Sequence, residues 1–135
     1  DPIEDTIRLY IRDLIMALRA IGTDAEETKR RWLQTQWRLT KGGRALFLQY
    51  EQQWQPLLQR EPNRVEMGPI LRRTPRTYEV HWQETRFSAG EKREAQKPVN
   101  YVATVTMEFR APYGPDEREH NPAGIFFDTW QWSKE

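Results

Sequence analysis

The chain contains no cysteine, only two histidines and no long uninterrupted apolar run. Without cysteine it forms no disulfide, holds no thiolate-bound metal and offers no cysteine nucleophile. Four charged residues interrupt the most apolar segment, residues 7–21: Arg8, Arg12, Asp13 and Arg19. Because a transmembrane helix needs roughly 18 consecutive apolar residues, this segment is not expected to cross a bilayer.

Excess charge of one sign is also missing, since 21 Lys and Arg residues face 20 Asp and Glu residues. Such a balance provides no strong field for holding a nucleic-acid backbone, so we expect no direct nucleic-acid partner. The basic run Lys29-Arg30-Arg31 follows Asp24, Glu26 and Glu27 on one predicted helix. This order predicts a solvated face with ion pairs three or four residues apart.

A chain of 135 residues falls in the common size range of one compact domain. No repeat, low-complexity tract or long linker divides it. The sequence begins with Asp1 rather than methionine. We therefore expect a fragment or processed product whose targeting information lies outside these residues.

Helical signals dominate the first half of the chain. Apolar residues recur at three- and four-residue steps and predict a first helix from Asp1-Pro2 to Gly22: Ile3, Ile7, Tyr10, Leu14, Leu18 and Ile21. Thr23 and Glu26 have the spacing of a capping box and predict a second helix to about Leu39. After a break at residues 41–43, a third helix is predicted to end near Pro56.

The second half changes to a period of two. Apolar residues alternate with polar ones over residues 101–109, and Tyr78, Val80 and Trp82 share one face of a strand over residues 77–87. Residues 65–71 contain Gly68-Pro69, which predicts an edge strand or a bulge. Residues 125–132 form the last predicted strand. Residues 88–98 and 111–124 are predicted loops.

Helices followed by strands indicate an α+β fold in which helices pack on one face of an antiparallel sheet. Some such folds carry enzymes, and the acid–base candidates in this sequence are His81, Glu84 and Asp128. His81 falls on the polar face of its strand, which favours a solvated or interface histidine. His81 and His120 belong to no metal-binding motif. The sequence therefore predicts no catalytic residue, no cofactor and no metal.

A turn precedes the last strand. Asn121 is able to bond its own backbone, Pro122 fixes φ, and Gly124 tolerates positive φ, so these residues predict a sharp reversal. Asn-Pro-x-Gly, an aromatic strand and then Trp-Ser-Lys-Glu resemble the C-terminal signature of the TrbF and VirB component-eight family. Ala123 stands where leucine is commoner in that family.

That resemblance extends along the chain, through Trp32, residues 41–45, Tyr50 and residues 78–84. It implies a nuclear-transport-factor-two-like (cystatin-like) fold, with N-terminal helices cradling a curved four-stranded antiparallel sheet. It also implies a bacterial type IV secretion protein of the inner membrane with a single span. Residues 1–135 would then be its periplasmic domain, with the cytoplasmic tail and the span lying outside this chain.

The implied role is assembly, through weak homodimers and contacts with core-complex and inner-membrane subunits. Family dimer contacts correspond here to Ile15, Leu18 and Arg19 in the first helix and to residues 121–125, which end at Ile125. The residues themselves add Trp37 and Trp54 as candidate interface anchors, because each stands among polar neighbours.

One alternative remains open, a stand-alone small-molecule-binding or isomerase-type protein of the same fold superfamily. A deep apolar cavity containing one buried carboxylate or histidine would favour that alternative. A filled cone with exposed aromatic residues would favour the scaffold.

Overall fold

The computed structural model describes residues 2–55, 61–90 and 94–135. Three helices come first, α1 (Pro2–Arg19), α2 (Ala25–Gln36) and α3 (Lys41–Trp54). Strands β1 (Asn63–Thr74), β2 (Thr77–Arg86) and β3 (Val99–Phe109) follow, and helix α4 (Gly114–His120) precedes β4 (Ile125–Lys134). The predicted α+β order is confirmed. The predicted end of the third helix at Pro56 lies outside the described residues.

The four strands form one antiparallel sheet in the order β1-β2-β3-β4. Its inner face carries Tyr78, Val80 and Trp82 of β2, all at most 2% exposed, as the period of two predicts. The pairing of β1 with β2 shifts register between Met67 and Ile70, where Gly68-Pro69 lies. The prediction of an edge strand or a bulge is confirmed, since β1 is an edge strand and also carries the irregularity.

One face of helix α1 is buried against the rest of the fold. Its apolar stripe packs against the inner face of the sheet, together with Trp32 of α2 and Phe47 of α3. Phe47 is central, because its ring lies 4.1 Å from the Trp32 ring and 6.4 Å from that of Trp130. One continuous apolar core thus joins the three long helices to the sheet.

The connections between helices cover both edges of the sheet. After α1, Ile21 exchanges two backbone hydrogen bonds with Asn63 at the start of β1. After α2, Phe127 of β4 donates to Arg38 O and accepts from Thr40 N. Edge strands expose unpaired backbone groups. Here part of each edge is satisfied by a helix connection, which also fixes where the helices sit.

Three local predictions were wrong. Asp24, not Thr23, caps α2, and its carboxylate accepts from the backbone N–H groups of Glu26 and Glu27. Residues 41–43 do not break a helix but form the first turn of α3, capped by the Thr40 hydroxyl. Gly43 is required there because a Cβ would lie 2.2 Å from Phe127 O. Residues 114–120, predicted as loop, form α4.

Candidate functional site

A buried ion pair occupies the open end of the fold, which we define as the end of the sheet where β1 and β3 begin and β2 and β4 end. Arg19, the last residue of α1, donates from Nε to Glu84 Oε2 at 2.7 Å and from an Nη to Oε1 at 2.8 Å. The two side chains are 9% and 5% exposed. Charged groups removed from water to this extent are retained only when paired and hydrogen-bonded.

Neighbouring side chains satisfy the rest of this pair. Asn63 Nδ2 donates to Glu84 Oε1 at 3.0 Å and to Arg19 O at 2.8 Å, and Trp82 Nε1 donates to Glu84 Oε2 at 2.8 Å. A second guanidinium Nη of Arg19 donates to the Tyr50 hydroxyl at 2.8 Å. We call these five residues the Arg19 network.

Aromatic rings surround the guanidinium of Arg19. Its central carbon lies 4.7 Å from the ring centre of Trp54 and 5.4 Å from those of Tyr101 and Trp132. These contacts favour a cation near the ring faces and exclude water from the charge. The open end of the fold is consequently filled with side chains.

The charge states follow from these contacts. Burial alone would lower the pKa of Arg19, but bonds and charge from Glu84 and Tyr50 outweigh it, so that pKa is raised. Burial would raise the pKa of Glu84, but hydrogen bonds from Arg19 and Trp82 outweigh burial and hold that pKa below its usual value. Burial raises the pKa of Tyr50 to about 12. Glu84 is a fixed carboxylate at neutral pH and a poor general acid.

The other acid–base candidates lie elsewhere. His81 is on the outer face of the sheet, where its ring nitrogens lie 2.8 Å from Glu79 Oε2 and 2.8 Å from Glu135 Oε1. Asp128 sits at a register shift in β4 and accepts from the Thr40 hydroxyl at 2.7 Å, which supports the N-terminus of α3. The structure does not bring His81, Glu84 and Asp128 together into one site.

Within residues 2–55, 61–90 and 94–135, no cluster of three or more His, Asp or Glu side chains is arranged to hold a metal ion. Over the same residues, no helix is both long enough and apolar enough to span a membrane.

A second group of buried polar contacts lies at the turn of residues 121–124, which we call the Asn121 turn. We call this turn and the Arg19 network the two polar anchors of the fold. Asn121 is 0% exposed, and its Nδ2 donates to Trp37 O at 3.1 Å and to Ile125 O at 2.9 Å. Its backbone carbonyl accepts from Gly124 N at 3.2 Å. One side chain therefore joins the end of α2 to the start of β4, while Pro122 lies exposed at the tip.

Gly124 has the positive φ, +67°, that the sequence predicts for it. A Cβ at this position would lie 2.0 Å from Arg110 O. Gly124 O also accepts from Arg110 N at 3.0 Å. The turn thus presses against the chain leaving β3, and both its conformation and its packing require glycine.

The predicted self-association residues of the first helix and of the turn have buried side chains, and their role in self-association stays a prediction. Ile15 and Leu18 are 0% exposed and pack in the core, and Arg19 belongs to the buried Arg19 network. Their helix is amphipathic, but these three positions lie on its buried side. Ile125 is 1% exposed. None of the four presents a side chain broadly to solvent.

An apolar groove lies close to the predicted region, beside the turn at residues 121–124. It has a volume of about 590 Å³ and is lined by Ile3, Thr6, Phe109, Ala123 and Ile125. Ile3 is 65% exposed and Phe109 is 42% exposed. We call it the apolar groove. It joins the first turn of α1 to the turn before β4.

Trp37 and Trp54 are both half-buried. The Trp37 ring stacks on His120 with centroids 4.2 Å apart and an angle of 9° between planes. Trp54 contacts Arg19, Arg86 and Tyr50. Their proposed role as interface anchors stays a prediction.

Replacing Glu84 with glutamine should strongly destabilise the protein. The change leaves the buried Arg19 guanidinium without its counter-charge, and breaking such a pair costs about 3–5 kcal/mol. Replacing both partners, as Arg19→Met with Glu84→Leu, should cost less than Glu84→Gln alone because no charge stays unpaired. Urea denaturation measures both, with the exposed Glu119→Gln as control. Equal stability of Glu84→Gln and Glu119→Gln would contradict the assigned importance of the pair.

Alanine at Gly124 should destabilise the protein far more than alanine at Gly114. Both glycines have positive φ, +67° and +72°, but a Cβ at Gly114 meets nothing within 4 Å. Gly114→Ala should therefore cost only the conformational strain, about 1–2 kcal/mol. Gly124→Ala adds a backbone clash worth about another 1–3 kcal/mol. Thermal melts of the two variants, compared side by side, check this difference, and equal losses would show that the contact with Arg110 O relaxes freely.

His81 should stabilise the fold at mildly acidic pH. The hydrogen bond to Glu79, together with Glu135, raises the pKa of His81. A raised folded-state pKa gives stability that is fully present below the unfolded value of about 6.5 and is lost as pH rises through the folded value. The stability difference between wild type and His81→Gln should thus be largest below about pH 6.5 and should shrink as pH rises above that value.

Urea titrations over a range of pH measure that difference. His120→Gln is the matched control, since His120 Nδ1 bonds the backbone carbonyl of Asp116 rather than a carboxylate. A difference that grows as pH rises would reverse the assigned sign.

Comparison with solved structures agrees with the fold. The VirB8 protein of Agrobacterium tumefaciens superimposes with a TM-score of 0.77 at 17% identity, covering 100% of this chain and 94% of that one. A TrwG component of the type IV secretion system from Bartonella birtlesii gives 0.78 at 13% identity, covering 96% and 91%. A TraE protein in complex with 4-(1H-pyrrol-1-yl)pyridine-2-carboxylic acid gives 0.76 at 12% identity, covering 97% and 96%.

At these identities the likeness establishes the fold, which is the predicted nuclear-transport-factor-two-like fold. No curated protein sequence matches the chain significantly. The family model described as VirB8 protein, however, matches residues 3–135. The chain therefore belongs to the VirB8 family.

Proposed function

We propose that this chain is the periplasmic domain of a single-pass inner-membrane protein that acts as an assembly scaffold in a bacterial type IV secretion system. Membership of the VirB8 family supports a role as a type IV secretion component. Within that family we infer a TrbF-type member, from the Asn-Pro-x-Gly turn and the Trp-Ser-Lys-Glu end. The observation that carries the scaffold role is that the side chains of the Arg19 network fill the open end of the fold, while an exposed apolar groove lies at the opposite end of the sheet.

The side chains that fill the open end of the fold argue against the enzyme alternative. The buried carboxylate that would favour an isomerase is present as Glu84, but Arg19, Asn63 and Trp82 engage its oxygens. A general acid or base must be free to exchange a proton with a bound molecule. We infer that Glu84 holds the domain together and that the domain has no catalytic residue and needs no cofactor.

Self-association is the proposed mechanism of assembly. The proposed contact involves the first helix and the turn, as the family resemblance implies, but it is made by their solvent-facing side chains. Ile3 and Phe109 provide apolar area, and Ala123 leaves the groove open where a leucine would partly fill it. A second copy of the same groove would bury these groups. We expect the contact to be weak, and the membrane anchor to raise the effective concentration of partners.

Nucleic acid is not proposed as a direct partner. Arg31 pairs with Glu27 at 2.9 Å, as the i, i+4 spacing predicts, and Arg73 pairs with Glu79 at 2.9 Å. Two basic clusters could have formed a track, residues 29–31 on α2 and residues 72–76 at the end of β1 and in the following turn. Each contains an arginine that is paired with a carboxylate. The proposed partners are other subunits of the secretion channel.

Ile3→Glu should abolish weak dimerisation. It places a charge in the apolar groove without touching the core, since Ile3 is 65% exposed. Sedimentation of the wild-type chain at increasing concentration, up to about 1 mM, should show a monomer-to-dimer shift that Ile3→Glu removes. The control is Leu33→Glu, which adds the same charge at a 56% exposed position on α2.

In the anchored full-length protein, Ile3→Glu should also lower transfer efficiency in a complementation assay, while Leu33→Glu should not. A wild-type mass that stays monomeric throughout, or equal dimerisation of both variants, would count against this surface. Leu18→Arg does not serve as a test, because Leu18 lies in the core and the variant would unfold.

A further inference from the structure

Ion pairs within the fold neutralise some of the arginines but not all of them. In the part of the chain that the structure describes, seven arginines lie within 4.0 Å of a carboxylate oxygen: Arg8, Arg19, Arg31, Arg38, Arg64, Arg73 and Arg110. The other arginines and the lysines of the described part form no such pair with a described carboxylate, and three of these cations lie together at the open end of the fold. There, several cations face one groove without such a partner.

This groove has a volume of about 280 Å³ and lies between the end of β2, the start of β3 and the end of β4. Arg86, Lys97 and Lys134 line it, together with Tyr101 and the edge of Glu84. We call it the basic groove. Among the described residues, none of its three cations forms an ion pair with a carboxylate.

The reason is that the local carboxylate is already engaged. Both oxygens of Glu84 accept from Arg19, so Glu84 neutralises the buried guanidinium rather than the groove. Arg86 is held differently, with its guanidinium carbon 5.3 Å from the ring centre of Trp54. A stacked guanidinium is oriented but keeps its N–H donors available.

Strand geometry brings the three cations together. Glu84 pairs with Val99 across β2 and β3, and Tyr101 pairs with Lys134 across β3 and β4. Since side chains alternate between faces, Arg86 and Lys134 both lie on the inner face, just beyond the side chains that fill the open end. Lys97 reaches the same groove from the segment leading into β3.

We propose that the basic groove binds an acidic peptide segment of a partner protein, whose carboxylates pair with Arg86, Lys97 and Lys134. Arginine forms bidentate pairs with carboxylates, and the lysines provide two further point charges. Tyr101 offers an apolar wall for the side-chain stems of such a segment. This partner class rests on the proposed scaffold role, whereas the binding itself is a property of the chain alone.

The groove suits a peptide better than a nucleic acid. Nucleic-acid binding without sequence recognition needs a basic track that follows several phosphates. Here the cations are confined to one small groove with Glu84 at its edge, and the whole chain has a formal net charge of +1. A short peptide with two or three carboxylates matches these three cations in number and in extent.

The test uses fluorescein-labelled hexaglutamate and fluorescence anisotropy with the 135-residue chain at about 20 mM salt, where screening is weak. Binding is expected, and it should weaken as salt is raised. Labelled hexaglutamine should not bind. Arg86→Gln combined with Lys134→Gln should weaken hexaglutamate binding by about fivefold or more, the value expected when two partly exposed charge pairs are lost.

Lys29→Gln combined with Arg30→Gln is the matched control. It removes the same charge from exposed positions on α2 and should leave affinity unchanged. Lys97→Gln is the second variant, because Lys97 is exposed and its loss should weaken binding without disturbing the fold. Equal affinity of wild type, the groove variants and the control would overturn the proposal.

A labelled single-stranded oligonucleotide of equal charge provides the last arm. If it bound more tightly than hexaglutamate and lost affinity in the groove variants, the groove would be a nucleic-acid site and the peptide assignment would be wrong. Ile3→Glu should bind hexaglutamate as wild type does. Failure of self-association is therefore separable from failure of the basic groove.

Discussion

The pairing of Arg19 with Glu84 is the constraint on which the open end of the fold depends. Two charges held out of water are stable only if nearly all their hydrogen-bonding groups are satisfied. Asn63 meets this demand for two elements at once, because its amide donates both to Glu84 and to the carbonyl of Arg19. The end of α1, the start of β1 and the end of β2 therefore have one mutual arrangement. The aromatic rings around the guanidinium then have a fixed surface on which to pack.

Asn121 acts in a comparable way away from that pair. It is fully buried, and its side chain joins the α2–α3 connection to β4, whereas Gly124 brings the same turn against the end of β3. Between Asn121 and the Arg19 network lies an apolar core that is not directional. We interpret the polar anchors as the source of register and orientation, and the core as the main source of free energy. A body held at both places is suited to presenting fixed surfaces to partners.

Much of this arrangement is readable in the sequence, and the failures have physical reasons. The period of two correctly placed Tyr78, Val80 and Trp82 inside, and the same phase continues to Glu84. A carboxylate at a position that the alternation predicts to be buried needs a buried cation as its partner. Glu84 therefore signalled such a cation, but the periodicity of the first helix does not identify it as Arg19. Helix α4 also had a signal: Pro115 followed by Asp116 and Glu117 is typical of a first helical turn. The close approach of Gly43 to β4 depends on tertiary packing, which local pattern does not report.

The surfaces proposed for binding follow from how the fold uses its own polar groups. The carboxylate of Glu84 is paired with Arg19 and does not neutralise the cations beside it at the open end. Those cations can therefore pair with a partner. The side-chain amide of Asn121 donates to backbone carbonyls inside the fold. The turn therefore exposes Pro122 and Ala123 rather than the Asn121 side chain. One end of the inner face is therefore basic, while the region beside the turn is apolar. Because the two surfaces differ in chemistry and are built from different elements, one copy could engage a second copy and an acidic partner without competition between them.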